Sequence, residues 1–142
     1  MRVAIVENTR VTEAGQVGIA LEEAGADIVT IRAHAGEPLP DFDAFDALVV
    51  FGGEQNARDD EKHPYLPELA SLMRRFGDSD KAVLGICLGS QLLARAYGGD
   101  NLIGAAPEFG WRHIGRTEAG KADPVLSVLP DRFLSFQWHD DT

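Results

Sequence analysis

A chain of 142 residues suffices for one compact domain with a real core and is too short for two. Apolar residues make up 44% and charged residues 25%, and no apolar run approaches the roughly 18 residues of a bilayer span, which argues against a membrane protein. The net charge of −10, with acids scattered along the chain, argues against nucleic acid or an anionic membrane as partner, and the single cysteine, Cys87, excludes an internal disulfide and a multi-cysteine metal site.

In chain order, Val3-Ala4-Ile5-Val6 follows one basic residue and runs into Glu7. It is too short for a secretory signal and reads as the first strand of a cytoplasmic protein. Val17, Ala20, Leu21 and Ala24 then recur at helical spacing and are closed by Gly25. Ile28-Val29-Thr30-Ile31 is the second strand, and residues 32–45, with Gly36, Pro38 and Pro40, form a loop. Ala47-Leu48-Val49-Val50-Phe51 is the third strand. Leu66, Leu69, Leu72, Met73 and Phe76 mark a helix that Gly77 is expected to stop.

Ala82-Val83-Leu84-Gly85-Ile86 is the fourth strand, and Leu88, Leu92, Leu93 and Ala96 mark a helix up to Gly98-Gly99. Beyond residue 101 the pattern predicts a strand over 111–114, a helical turn within 124–129 and a strand over 133–138. The four apolar runs are nearly continuous, as in strands buried on both faces. With helices between them, they predict an α/β fold: an open, doubly wound, mostly parallel sheet covered by helices on both faces. No repeat or linker interrupts residues 1–142, which are expected to form a single domain.

Ligands of such sheets bind beyond the carboxyl ends of the strands. The third strand ends in Gly52-Gly53-Glu54, and the fourth in Gly85-Ile86-Cys87-Leu88-Gly89. Cys87 falls where a strand turns sharply into a helix, with Gly85 and Gly89 two residues to either side. That is the spacing of a nucleophile elbow, in which small neighbours relieve crowding around an exposed side chain. The helix N-terminus favours thiolate there. The backbone N–H of Leu88 is placed to donate to an oxyanion, and Gly53 offers a second donor if both strands end on one rim. The competing structural readings are a buried cysteine and an ordinary tight turn.

The segment Gly85-Ile86-Cys87-Leu88-Gly89-Ser90-Gln91 matches the G-x-C-x-G-x-Q signature of class I, triad-type glutamine amidotransferases. Phe51-Gly52-Gly53 resembles that family's oxyanion strand ending, and residues 108–111 and 137–142 resemble two later landmarks. Residues 59–64 and 84–94 are similar to the free-standing members that look like the glutaminase domain of GMP synthase.

The resemblance implies a flavodoxin-like amidotransferase fold and hydrolysis of the side-chain amide of L-glutamine to glutamate and ammonia, without metal or cofactor. It makes Cys87 the nucleophile, Gly53 and Leu88 the oxyanion donors, and Gly52, Gln91 and His139 contacts to glutamine. A synthase domain or subunit would accept the ammonia.

Taken on its own, His139 with Asp140 or Asp141 offers a base and its orienter. The resemblance instead assigns His139 to a segment lying against the substrate and puts the catalytic histidine and carboxylate in a later segment. The chain is therefore expected to be C-terminally incomplete and inactive alone. His34, His63 and His113 are expected to be solvated or structural. Set against the family it resembles, the chain has Glu54 where many members have proline and Asp140 where the pattern usually has glycine. The competing functions are a γ-glutamyl hydrolase of the same superfamily, the flavodoxin-like cysteine family of stress proteins and peptidases, and a partner module without catalysis.

Overall fold

The computed structural model describes all 142 residues, which divide into two compact units, Met1–Ile103 and Gly104–Thr142.

The first unit holds four parallel strands, β1 (Arg2–Glu7), β2 (Asp27–Arg32), β3 (Ala47–Val50) and β4 (Ala82–Gly85), in the order β2-β1-β3-β4. Three helices connect them or follow: α1 (Gly15–Glu23), α2 (Leu66–Asp78) and α3 (Leu88–Ala96). The period of two along a strand divides the core between the faces. Val3 and Ile5 of β1, with Ala47 and Val49 of β3, pack with Val17 and Leu21 of α1. Ala4 and Val6, with Leu48 and Val50, pack with Leu66, Leu69, Met73 and Phe76 of α2 and with Leu88 and Leu92 of α3. Each large apolar side chain buried in these layers stabilises the fold by about 1.5–3 kcal/mol relative to exposure. Helices on both faces of a parallel sheet are what the strand–helix alternation predicts.

Three details depart from the sequence reading. The expected burial on both faces holds for the central β1 and β3, but β4 alternates between exposed and half-buried residues because it is the edge of the sheet. Helix α2 does not stop at Gly77. It runs to Asp78 and is closed by Asp80, whose φ of 57° takes the left-handed turn, with Lys81 N–H donating to Phe76 O at 3.0 Å. Gly77 makes room for Tyr97, since a Cβ there would run into the hydroxyl at the end of that half-exposed side chain. The loop over residues 32–45 contains two single turns of 3₁₀ helix, Ala33–Ala35 and Phe42–Ala44.

The second unit is an antiparallel pair, β5 (Glu108–Gly115) and β6 (Arg132–His139), both longer than their apolar cores suggest. Between them lie a short helix, α4 (Glu118–Ala122), and a 3₁₀ turn, Leu126–Val128. The Thr117 hydroxyl caps α4 by accepting from Gly120 N–H at 3.1 Å. On one face of the pair Phe109, Trp111, Phe136 and Trp138 meet edge to face at centroid distances of 5.5–5.6 Å, and all four are exposed. Register brings Glu108 opposite His139 on the other face.

Candidate active site on the rim of the parallel sheet

Strand β4 hands the chain to α3 in one step. Ile86 N–H still donates to Val50 O at 3.0 Å, extending the ladder with β3, and the next residue, Cys87, turns with φ 54° and ψ −116° into the helix. Few non-glycine residues adopt positive φ, and such a residue persists only where its surroundings over-determine it. Here the Cys87 carbonyl is held by three donors: Ser90 N–H at 2.9 Å, Gln91 N–H at 3.2 Å and the Ser90 hydroxyl at 2.7 Å.

The flanking glycines have steric reasons. A Cβ at Gly85 would strike the backbone of Gly89, and a Cβ at Gly89 would strike the Val50 carbonyl of β3. Helix α3 therefore lies as close to β3 and β4 as two backbones permit.

The end of β3 reaches the same place. A Cβ at Gly52 would stand 3.1 Å from Cys87 Cβ and 3.5 Å from its sulfur, so the glycine pair and the cysteine share one spot on the rim. Gly53 backs onto Asn8 and Gln55, where a Cβ would collide with Gln55 Oε1 and lie 2.9 Å from Asn8 Cβ. Of the residues singled out in the sequence, Gly52, Gly53, Cys87, Leu88 and Gln91 all belong to the first unit. Leu88 is buried as the first residue of α3, while Gln91 is half-buried in its second turn and its carbonyl accepts from Asn101 Nδ2 at 3.1 Å.

The loop after the glycine pair is tied back to the cysteine-bearing helix. Arg95 of α3 donates to both carboxylate oxygens of Asp60 at 2.7 Å and to the Ala57 carbonyl at 2.6 Å. These bonds hold the Asp60 carboxyl below its ordinary range and raise Arg95. Glu54, next to the glycine pair, finds its own anchors. A hydrogen bond to its own backbone N–H and one from Thr9 lower its pKa, with smaller help from His34 and His63.

The histidines are placed as follows. His34 Nδ1 lies 3.2 Å from the Glu7 carbonyl, and His63 Nε2 lies 3.9 Å from Asp59 while its ring meets Tyr65 edge to face. Both line a cavity of about 370 Å³ at the ends of β2 and α2, which none of Gly52, Gly53, Cys87 or Leu88 lines. His113 is exposed on β5. His139 belongs to the second unit, where its Nε2 is 3.2 Å from Glu108 Oε2 and its Nδ1 3.1 Å from the Asp141 backbone carbonyl. Its carboxylate partner is thus Glu108 across the strand pair, a residue the sequence reading did not connect with it. No group of three or more His, Cys, Asp and Glu side chains is arranged to hold a metal ion, and no helix is long and apolar enough to cross a membrane.

A parallel α/β sheet carrying a positive-φ cysteine on its strand-to-helix turn, with Gly52 of the neighbouring strand's end beside it, defines a protein of the cysteine-elbow type. The family model of class-I glutamine amidotransferases matches residues 16–142, and the chain belongs to that family. It is 37% identical to the putative glutamine amidotransferase-like protein YfeJ of Salmonella typhimurium over 145 residues, covering 99% of this chain and 61% of that protein. With the glutamine-hydrolysing GMP synthase subunit of Thermoplasma volcanium it shares 33% identity over 100 residues, covering 70% of this chain and 46% of the relative. The crystal structure of a glutamine amidotransferase from Thermotoga maritima superposes with a TM-score of 0.89 at 28% identity, covering 99% of this chain and 61% of that one. This chain thus spans less than two thirds of the length of each.

Proposed function

We propose that the protein hydrolyses the side-chain amide of L-glutamine through a thioester on Cys87. The observation that carries this reading is the close approach of Gly52 to Cys87 on the rim, where a Cβ added at Gly52 would stand 3.5 Å from the sulfur, in a chain of the amidotransferase family. The sulfur adds to the amide carbon and the carbonyl electrons move onto oxygen, where the N–H groups of Gly53 and Leu88 stabilise the oxyanion. Collapse breaks the C–N bond, and the nitrogen leaves as ammonia with the proton that the Cys87 thiol gave up. Water then adds to the thioester, glutamate departs and the thiol is restored. Gly52 leaves room for the substrate amide, while Gln91 binds the amino-acid end.

The two compact units are read as parts of one amidotransferase domain, since the family model runs through both. The relative named as a synthase subunit supports delivery of the ammonia to a synthase acceptor.

The test is release of ammonia and glutamate from L-glutamine by the protein expressed from its full reading frame, beside Cys87→Ala and with γ-glutamyl amines and peptides as rival substrates. Glutamine turnover that vanishes in Cys87→Ala is the expected result. Turnover of the γ-glutamyl amines alone would replace the glutaminase with a γ-glutamyl hydrolase, and turnover that survives Cys87→Ala would remove the proposed nucleophile.

A further inference from the structure

The glycine pair has no side chains of its own with which to hold a position, so something else must fix the Gly53 N–H. At the end of β1 stands Asn8, fully buried and immediately beyond the last strand residue. Its Nδ2 donates to the Phe51 carbonyl at 2.8 Å, on one side of Gly52-Gly53. Its own backbone carbonyl accepts from Gln55 Nε2 at 2.8 Å, on the other side. Its Oδ1 accepts from the Tyr65 hydroxyl at 3.1 Å, which comes from the start of α2. One residue therefore grips the loop both before and after the glycines and is itself held by a third element. Gly53 lies directly against it, with no room for a Cβ.

Two further features fit a positioning role. Gln55 is buried, and its amide reaches back to the Asn8 carbonyl rather than turning out to solvent. Burial, and secondarily the charge of Glu54, push the Tyr65 hydroxyl up to about 12, so it stays protonated and remains a donor throughout the working range.

We infer that Asn8 is a positioning residue for the proposed reaction, holding Gly52-Gly53 so that the Gly53 N–H is fixed where the oxyanion develops. This rests on the glutaminase reading for its chemistry and on the hydrogen bonds alone for its mechanics. A preorganised donor matters in the transition state and little in the ground state. Loosening it therefore lowers kcat while leaving KM nearly unchanged.

The experiment uses two variants. Asn8→Asp keeps the shape and the acceptor for Tyr65 but sets a carboxylate oxygen against the Phe51 carbonyl. Tyr65→Phe removes one hydroxyl and leaves the fold's packing intact. Backbone ¹⁵N order parameters over residues 52–55 are measured beside kcat and KM for glutamine. In Asn8→Asp the loop values are expected to fall from about 0.85 toward 0.6, with β1 and β3 unchanged. Its kcat is expected to drop about 10- to 100-fold at constant KM. Tyr65→Phe should move both readouts in the same direction by less.

Unchanged loop order in both variants overturns the inference whatever the activity does. So does a mobile loop with undiminished kcat, or a fall in kcat matched by a loss of β1 and β3 order, which marks a merely structural residue. If the wild-type protein does not turn over glutamine while the loop loosens as described, the glutaminase reading fails and the clamp on the glycine pair stands.

Discussion

Cys87 gives the sharpest test of the elbow, because its backbone angles can be probed without any chemistry. With φ 54° and ψ −116°, its conformation is the mirror image of (−54°, +116°), an ordinary extended geometry close to the first central position of a type II turn. Glycine, lacking a Cβ, adopts the mirror-image region as readily as the usual one, whereas any residue with a Cβ pays about 1–3 kcal/mol. Neither Cys87→Ala nor Cys87→Gly retains the sulfur, so the two differ essentially in the Cβ. At an unstrained site the glycine variant is the less stable by about 0.4–1 kcal/mol, through the entropy of its unfolded chain. Here relief of strain exceeds that, and Cys87→Gly is expected to be the more stable by about 1–2 kcal/mol. For a chain of this size the difference is roughly 3–8 °C in Tm. Paired thermal melts and urea titrations read it directly. A Cys87→Gly protein that melts below Cys87→Ala would refute the strained elbow and, with it, the idea that the fold tolerates an unfavourable backbone to present this side chain.

Replacing Arg95 by Lys keeps the charge but removes the two-pronged grip on Asp60 and weakens the bond to the Ala57 carbonyl, so a loss of about 1 kcal/mol of unfolding free energy is expected, read as a lower urea midpoint. A midpoint unchanged by Arg95→Lys would mean that the loop is held without the guanidinium. Glu54 supplies a pH dependence: its folded pKa is lowered, so its contribution is complete above the ordinary carboxylate value of 4.5 and disappears as pH falls through the lowered folded value. The stability gap between the native protein and Glu54→Gln should be widest near neutrality and close on acidification; a gap that widens in acid would reverse the assigned sign.

The strands, the three helices of the first unit and the elbow were legible in the sequence because each leaves a one-dimensional mark. The apolar runs 3–6 and 47–51 are continuous since their strands are buried on both faces, and Gly85 and Gly89 bracket Cys87 at the interval a strand-to-helix turn needs. What escaped depends on neighbours that sequence distance hides. Gly77 looked like a helix stop because its partner, Tyr97, is twenty residues away, just past the end of another helix. Glu108 and His139 meet only through the register of an antiparallel pair. Helix α4, five residues of Glu-Ala-Gly-Lys-Ala, has no apolar period to read. Asn8 was findable: polar residues directly beyond a strand's carboxyl end lie where ligands bind such sheets, and β1 ends in one just as β3 and β4 end in their glycines and cysteine.

The four glycines around the rim and the cysteine among them carry different kinds of information. Gly85 and Gly89 are required by backbone contact alone, because α3 could not approach β3 and β4 with a Cβ at either position. Gly53 is required by Asn8 and Gln55 behind it. These three would be needed in a protein of this fold that catalysed nothing. Cys87 is different, because the turn it occupies would be relaxed by glycine and a sulfur does nothing to ease it. Gly52 lies between the two cases: a Cβ there is tight at 3.1 Å from Cys87 Cβ yet not forbidden, and its direction is toward the sulfur. The proposed chemistry at this rim is therefore signalled by the two residues whose identity packing does not dictate, the strained Cys87 and the bare Gly52 facing it, more than by the glycine pattern through which the motif is first noticed.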